Sequence, residues 1–199
     1  MPIGALSVTS LVIDDLYREL AEKKLVNSRE CHILDCGIGY GIYGPMIRQW
    51  LDQGYVKNFR TNLMGIEGFS GYRNPCWEAY DVVHVMKIED YFNWNVAFHD
   101  KFNAILIMDV IEHFDHVTGL AVLDELKRRL KPGGVLYCAT PGIMNAQGPV
   151  YGNELEVHKH EWSAIDFINL GFTIKCDGIN PDFLGNLMIL AKYVKGKDK

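Results

Sequence analysis

The 199-residue sequence predicts an α/β fold, a doubly wound, mostly parallel seven-stranded sheet with helices on both faces. Seven short apolar runs carry the prediction: Cys31 to Cys36, Leu63 to Glu67, Val82 to Met86, Ala104 to Met108, Val135 to Ala139, Thr173 to Cys176 and Leu187 to Ala191. They are nearly continuous in apolar character rather than alternating, as strands buried on both faces are. Helical patterns at about 43–53, 117–130 and 162–169 fall between them.

Before the first run, Leu11, Ile13, Leu16, Leu20 and Leu25 lie near one helical face, with Ser10 as N-cap and Asp14 and Asp15 in the first turn. A helix over 11–25 follows, within a leading segment 1–28. Two long connections interrupt the rhythm: 68–80, rich in glycine and aromatics, and 141–160, with Pro141, Gly142, Gly148, Pro149 and Gly152. Loops this long inside a compact domain are usually binding loops or lids, and 141–160 is read as a lid. The tail from Lys192 to Lys199 is basic and expected to fray. No repeat or Pro/Ser-rich linker divides the chain, so 1–199 reads as one domain.

Twenty Lys+Arg against twenty-five Asp+Glu give a net charge of −5, which offers no general grip on a phosphate backbone and counts against nucleic acid as a partner. The five cysteines are odd in number and contain no C-x-x-C pair, which suits a reducing, cytoplasmic setting. No apolar run approaches the roughly 18 residues of a membrane span, and no secretory signal is evident at the start.

The strongest local signal runs from His32 to Gly44, where an apolar strand enters closely spaced glycines and then a helical pattern. Backbone can approach a ligand there, beside a helix N-terminus. Gly39-x-Gly41-x-x-Gly44 with Glu67 farther on also satisfies a dinucleotide fingerprint, so an NAD(P)-dependent oxidoreductase is one reading. Asp35 favours another, because a carboxylate before the first glycine repels a pyrophosphate and attracts the ammonium and sulfonium of S-adenosylmethionine. An Asp at this position also serves turn amides.

With Ile33-Leu-Asp35-x-Gly37-x-Gly39-x-Gly41, Gly65-Ile-Glu67, Phe102 to Phe114 with its Asp109-Val-Ile-Glu112-His113-Phe114 end, and Leu130-Lys-Pro-Gly133-Gly134, the chain resembles the class I S-adenosylmethionine-dependent methyltransferases from about residue 30 onward. It is most similar to the small-molecule type with Glu-His-Phe after the fourth strand. The resemblance implies a Rossmann-like sheet and S-adenosylmethionine as cofactor. It places Gly37, Gly39 and Gly41 around the methionine moiety, Asp35 at its ammonium, Glu67 on the ribose hydroxyls and Gly68 and Phe69 beside the adenine. Asp109 joins the cofactor side. After the third strand, Lys87 stands where the family often has an Asp; a lysine cannot accept from the adenine amino group, which leaves Glu89 or the backbone at Ile88.

Methyl transfer needs donor and acceptor aligned and often one base. His113 is the first choice, with His158 and His160 as alternatives on the lid; the Glu112-His113 pair equally suits organising the loop. Glu112, His113, Asp115 and His116 form one cluster and His158, His160 and Glu161 another, but neither has zincin spacing and no metal is expected. The absence of Pro-Pro-aromatic and Pro-Cys segments counts against base methylation. Tyr72, Trp77, Tyr80, Tyr151 and Met144 suggest an apolar or ring-bearing small acceptor, or core packing. The expected activity is methylation of an O or N atom of a small molecule. A non-catalytic cofactor-binding or activator subunit is the remaining alternative.

Overall fold

The computed structural model describes residues 6–52, 59–94, 101–143, 146–181 and 187–196. Its helices are α1 (Leu6–Glu22), α2 (Tyr43–Leu51), α3 (Ile88–Trp94), α4 (His116–Arg128) and α5 (Ala164–Asn169). The strands are β1 (His32–Cys36), β2 (Asn62–Glu67), β3 (Val82–Val85), β4 (Phe102–Met108), β5 (Leu130–Pro141), β6 (Thr173–Pro181) and β7 (Leu187–Val194). They form one sheet in the order β3-β2-β1-β4-β5-β7-β6, with β7 antiparallel to both its neighbours and the other pairings parallel. The Rossmann-like, doubly wound sheet is therefore as expected.

Period-two alternation feeds two cores from the same strands. Ile33, Ala104, Leu106, Val135 and Tyr137 point to one side and pack with Leu16 and Leu20 of α1 and Ile47 of α2. Leu34, Ile105, Ile107 and Leu136 point to the other, against Tyr91 of α3, Leu123 of α4 and Phe167 of α5. The chain runs outward from β1 to β3 and returns to place β4 beside β1. That reversal opens a crevice at the C-terminal ends of β1 and β4, where open α/β sheets bind ligands.

Several boundaries differ from the expectation. Helix α1 begins at Leu6, so Ser10 lies inside it; its buried stripe is Val8, Val12, Ile13, Leu16 and Leu20, while Leu11 is exposed and Leu25 lies beyond the end. Seven-residue α3 escaped the periodicity because so short a helix shows barely two turns. At the other end of the chain, Lys192 is not frayed: its ammonium lies in the fold, 2.5 Å from Asp15 and 2.6 Å from Glu19 of α1. Lys197 to Lys199 lie outside the described residues. Among the described residues no helix is long and apolar enough to cross a membrane.

Candidate active site

The glycine loop leaves β1 along the crevice. The amides of Gly37 and Ile38 both donate to the Ile66 carbonyl, at 2.8 and 3.1 Å, which ties the loop to the end of β2. Gly37 has φ +73°, and an added Cβ would collide with Val110 after β4. The first glycine thus lets the β1 and β4 ends meet.

Asp35 is buried under this loop, where its Oδ2 accepts a 2.6 Å hydrogen bond from the Tyr80 hydroxyl. Burial pushes its carboxyl up to about 7 and the nearby Glu67 adds to the rise, against the lowering effect of Tyr80. Trp77 supports the loop from the same side, donating from Nε1 to the Gly39 carbonyl at 2.9 Å. Tyr72, Trp77 and Tyr80 are therefore buried members of the core beneath the cofactor loop; of the two readings the sequence left open, acceptor wall or core packing, the structure takes the packing one. Tyr151 is exposed, and Met144 lies outside the described residues.

Glu67 ends β2 and holds the second half of the cradle. Its Oε2 accepts the Gly39 amide and its Oε1 the Phe69 amide, each at 2.8 Å. The Gly68 amide also bears on this carboxylate, and with two acceptor sites per oxygen the group keeps capacity for a further hydroxyl. Burial raises the Glu67 carboxyl above its usual range and Glu156 adds to the rise, while the amides of Phe69 and Gly39 oppose it. Gly68 and Phe69 follow at once, with Phe69 edge-on to Tyr72. At the end of β3, Ile88 is the buried first residue of α3 and Glu89 is half-buried in its first turn.

The turn after β4 forms the other rim. Asp109 takes a left-handed φ of +55°, unusual for a side chain with a Cβ, and its amide donates to the Ala139 carbonyl at 2.9 Å. Glu112 is buried, with Oε2 accepting from the Thr140 hydroxyl at 3.0 Å. His113 is half-buried; burial, then His158, depress its conjugate acid to about 4, against the raising effect of the Val157 carbonyl. A neutral imidazole this reluctant to protonate is a weak proton acceptor near neutral pH.

The described part of the 141–160 connection crosses this rim as a strap. The Tyr72 hydroxyl donates to Glu156 at 2.9 Å, Asn153 Nδ2 donates to the Tyr72 hydroxyl at 3.3 Å, and Leu155 lies against Gly68, where any Cβ would collide with it. The strap's far end is pinned by the amides of Lys159 and His160, which donate to the Glu112 carbonyl at 2.8 and 3.2 Å. His158 is brought to His113, their ring centroids 5.0 Å apart. His160 is not: it stacks with His116 at 4.5 Å and stands edge-on to Trp162 at 5.0 Å.

Asp35, Gly37, Gly39, Gly41, Glu67, Gly68 and Phe69 thus share one cradle, Asp109 and His113 occupy the adjoining rim, and His160 belongs to a separate aromatic group. Sequence reasoning missed Tyr80 and Trp77 as supports and Glu156 as a strap anchor, since nothing local marks them. A loop that backbone approaches closely, a buried acid that a nearby cation would ionise, and a strand-end carboxylate with spare acceptor capacity fit S-adenosylmethionine. Fold and site together define a class I methyltransferase architecture.

The chain belongs to the methyltransferase-domain family, whose model matches residues 9–173. No curated protein matches it. Among solved structures it is similar to an O-methyltransferase family protein from Burkholderia thailandensis (12% identity, TM-score 0.57, covering 96% of this chain and 60% of that one). It is likewise similar to the magnesium protoporphyrin IX methyltransferase of Synechocystis with bound S-adenosylmethionine (12%, TM-score 0.57, 94% and 79%). A third is the N-methyltransferase NodS of Bradyrhizobium japonicum (15%, TM-score 0.53, 92% and 99%).

Proposed function

We propose that this chain is an active enzyme that transfers a methyl group from S-adenosylmethionine to an oxygen or nitrogen atom of a small-molecule acceptor. The observation that carries the reading is Glu67, whose two oxygens are held by the Gly39 and Phe69 amides and still face the cradle with acceptor capacity. S-adenosylmethionine supplies a methyl carbon made electrophilic by its sulfonium. The residues of the chain bind and orient. Asp35 receives the ammonium, Gly37, Gly39 and Gly41 admit the methionine moiety, and Glu67 takes the ribose hydroxyls. Gly68, Phe69, Ile88 and Glu89 enclose the adenine, with Asp109 closing the cofactor side. His113 and His158 stand on the acceptor side, where alignment of the attacking atom matters most. The His160 ring packs apart from these, with His116 and Trp162.

A small acceptor fits a chain of net charge −5, which offers no general grip on a phosphate backbone. The test is incubation with methyl-labelled S-adenosylmethionine and separate pools of small hydroxy compounds, small amines, nucleic acid and protein. Label in a small molecule, dependent on Glu67, supports the reading. Label confined to a macromolecular pool, or none above the Glu67→Ala background in any pool, overturns it.

A further inference from the structure

Beside the cofactor cradle, three side chains from two distant stretches converge. Glu112 and His113 lie in the turn after β4 and His158 lies on the strap, and one potential ligand atom from each falls within 4.8 Å of the others. Each is already oriented by an outer hydrogen bond or backbone pin. The Thr140 hydroxyl holds Glu112 at 3.0 Å. His113 Nδ1 lies 3.3 Å from the Val157 carbonyl, which fixes the plane of its ring beside Glu112 and His158. The amides of Lys159 and His160, on the Glu112 carbonyl, keep the neighbouring His158 against the turn. Carboxylates and imidazoles that ligate metals are oriented by outer partners of this kind.

From this convergence we infer that Glu112, His113 and His158 form a binding site for one divalent transition-metal ion of the zinc class. Magnesium and calcium prefer all-oxygen shells, whereas two imidazoles with one carboxylate suit zinc and its neighbours. Three protein ligands leave a tetrahedral ion one open position, as in catalytic rather than structural sites. Bonds of about 2.0–2.2 Å place tetrahedral ligands roughly 3.3 Å apart, so the three groups draw together on the ion by side-chain rotation. The site adjoins the glycine loop, because Val110, two residues before Glu112, is the side chain that meets Gly37. On the methyl-transfer reading, on which this last step alone rests, the open position takes a coordinating oxygen of the acceptor, which selects hydroxy compounds able to ligate a metal.

The test needs neither cofactor nor acceptor, so its failure and that of the methyl-transfer reading are separable. Full-length protein is stripped with a chelator, dialysed and titrated with Zn²⁺ alone by calorimetry, then with Co²⁺ by visible absorption. One ion per chain is expected. Glu112→Gln, which keeps an acceptor for Thr140, and His158→Ala should each weaken binding about 100-fold or more, while His160→Ala leaves it unchanged. Circular dichroism confirms that each variant is folded; if His158→Ala is not, His158→Gln replaces it. No binding, binding indifferent to Glu112→Gln and His158 substitution, or equal loss in His160→Ala overturns the site.

Discussion

The Tyr80 hydroxyl meets the buried carboxyl of Asp35 at 2.6 Å, across 45 residues of sequence, directly beneath the glycine loop. With its carboxyl near 7, Asp35 holds its proton below neutral pH and gives it up to a cation. Binding of S-adenosylmethionine should therefore release about half a proton per chain at pH 7 and close to one about a unit lower, and affinity should rise as pH climbs through 7. Calorimetry in buffers of different ionisation enthalpy reads the proton directly. Tyr80→Phe removes a bond that lowers Asp35, so it should weaken neutral-pH affinity by about 10-fold and shift the recovery to higher pH. Affinity flat with pH, with no proton released, would remove Asp35 from the ammonium.

Glu67 tests the ribose end. Replacing it by Ala deletes two acceptors for charge-assisted hydrogen bonds, each worth roughly 1.5–3 kcal/mol. It also frees the Gly39 and Phe69 amides that shape the loop. The dissociation constant for S-adenosylmethionine should rise by an order of magnitude or more in a protein that remains folded, and Glu67→Gln should fall between. An unchanged constant in folded Glu67→Ala places the ribose elsewhere.

A third expectation concerns stability. Burial alone would raise Asp15, but hydrogen bonds from Lys192, Tyr137 and Lys175 outweigh it and hold the carboxyl at about 2. A depressed carboxyl stabilises the fold above its unfolded value of 3.8, and that contribution disappears as pH falls from there toward 2. Lys192→Met breaks both the Asp15 and Glu19 pairs and should cost about 1–3 kcal/mol, less than a fully buried pair because the acids are partly exposed. Urea unfolding at neutral pH and in acid measures it: the penalty should shrink in acid.

The strap makes a fourth. Its contacts with Tyr72 and Gly68 place it over the cofactor cradle, so amide exchange in residues 146–157 should slow when S-adenosylhomocysteine is added. Tyr72→Phe loses the bond to Glu156 and should exchange faster in this segment alone. Equal protection with and without ligand would make the strap scaffolding.

What was legible in the sequence was what is local. Asp35, the glycines and Glu67 sit at strand ends, where an apolar run followed by one acid or glycine announces both the element and its chemistry. The misses are long-range. Lys192 reads as a solvated tail residue until β7 carries it 177 positions back to Asp15. Tyr80 and Trp77 read equally as pocket wall or core packing, because nothing nearby shows that Asp35 and the Gly39 carbonyl lie above them. His158 and His160 are indistinguishable in the sequence; only the pinning of the strap on the Glu112 carbonyl sends one to His113 and the other to His116 and Trp162.

Every role assigned to the cradle depends on the cofactor being S-adenosylmethionine, and thermal unfolding with added ligand is the sharpest test of it. A ligand bound only by the folded chain stabilises it by about 2.7 kcal/mol at 100 times its dissociation constant. S-adenosylmethionine and S-adenosylhomocysteine should each raise the midpoint in a concentration-dependent way, NAD should not, and Glu67→Ala should blunt the rise. A midpoint that climbs with NAD and ignores both adenosyl ligands would make the cradle a dinucleotide site.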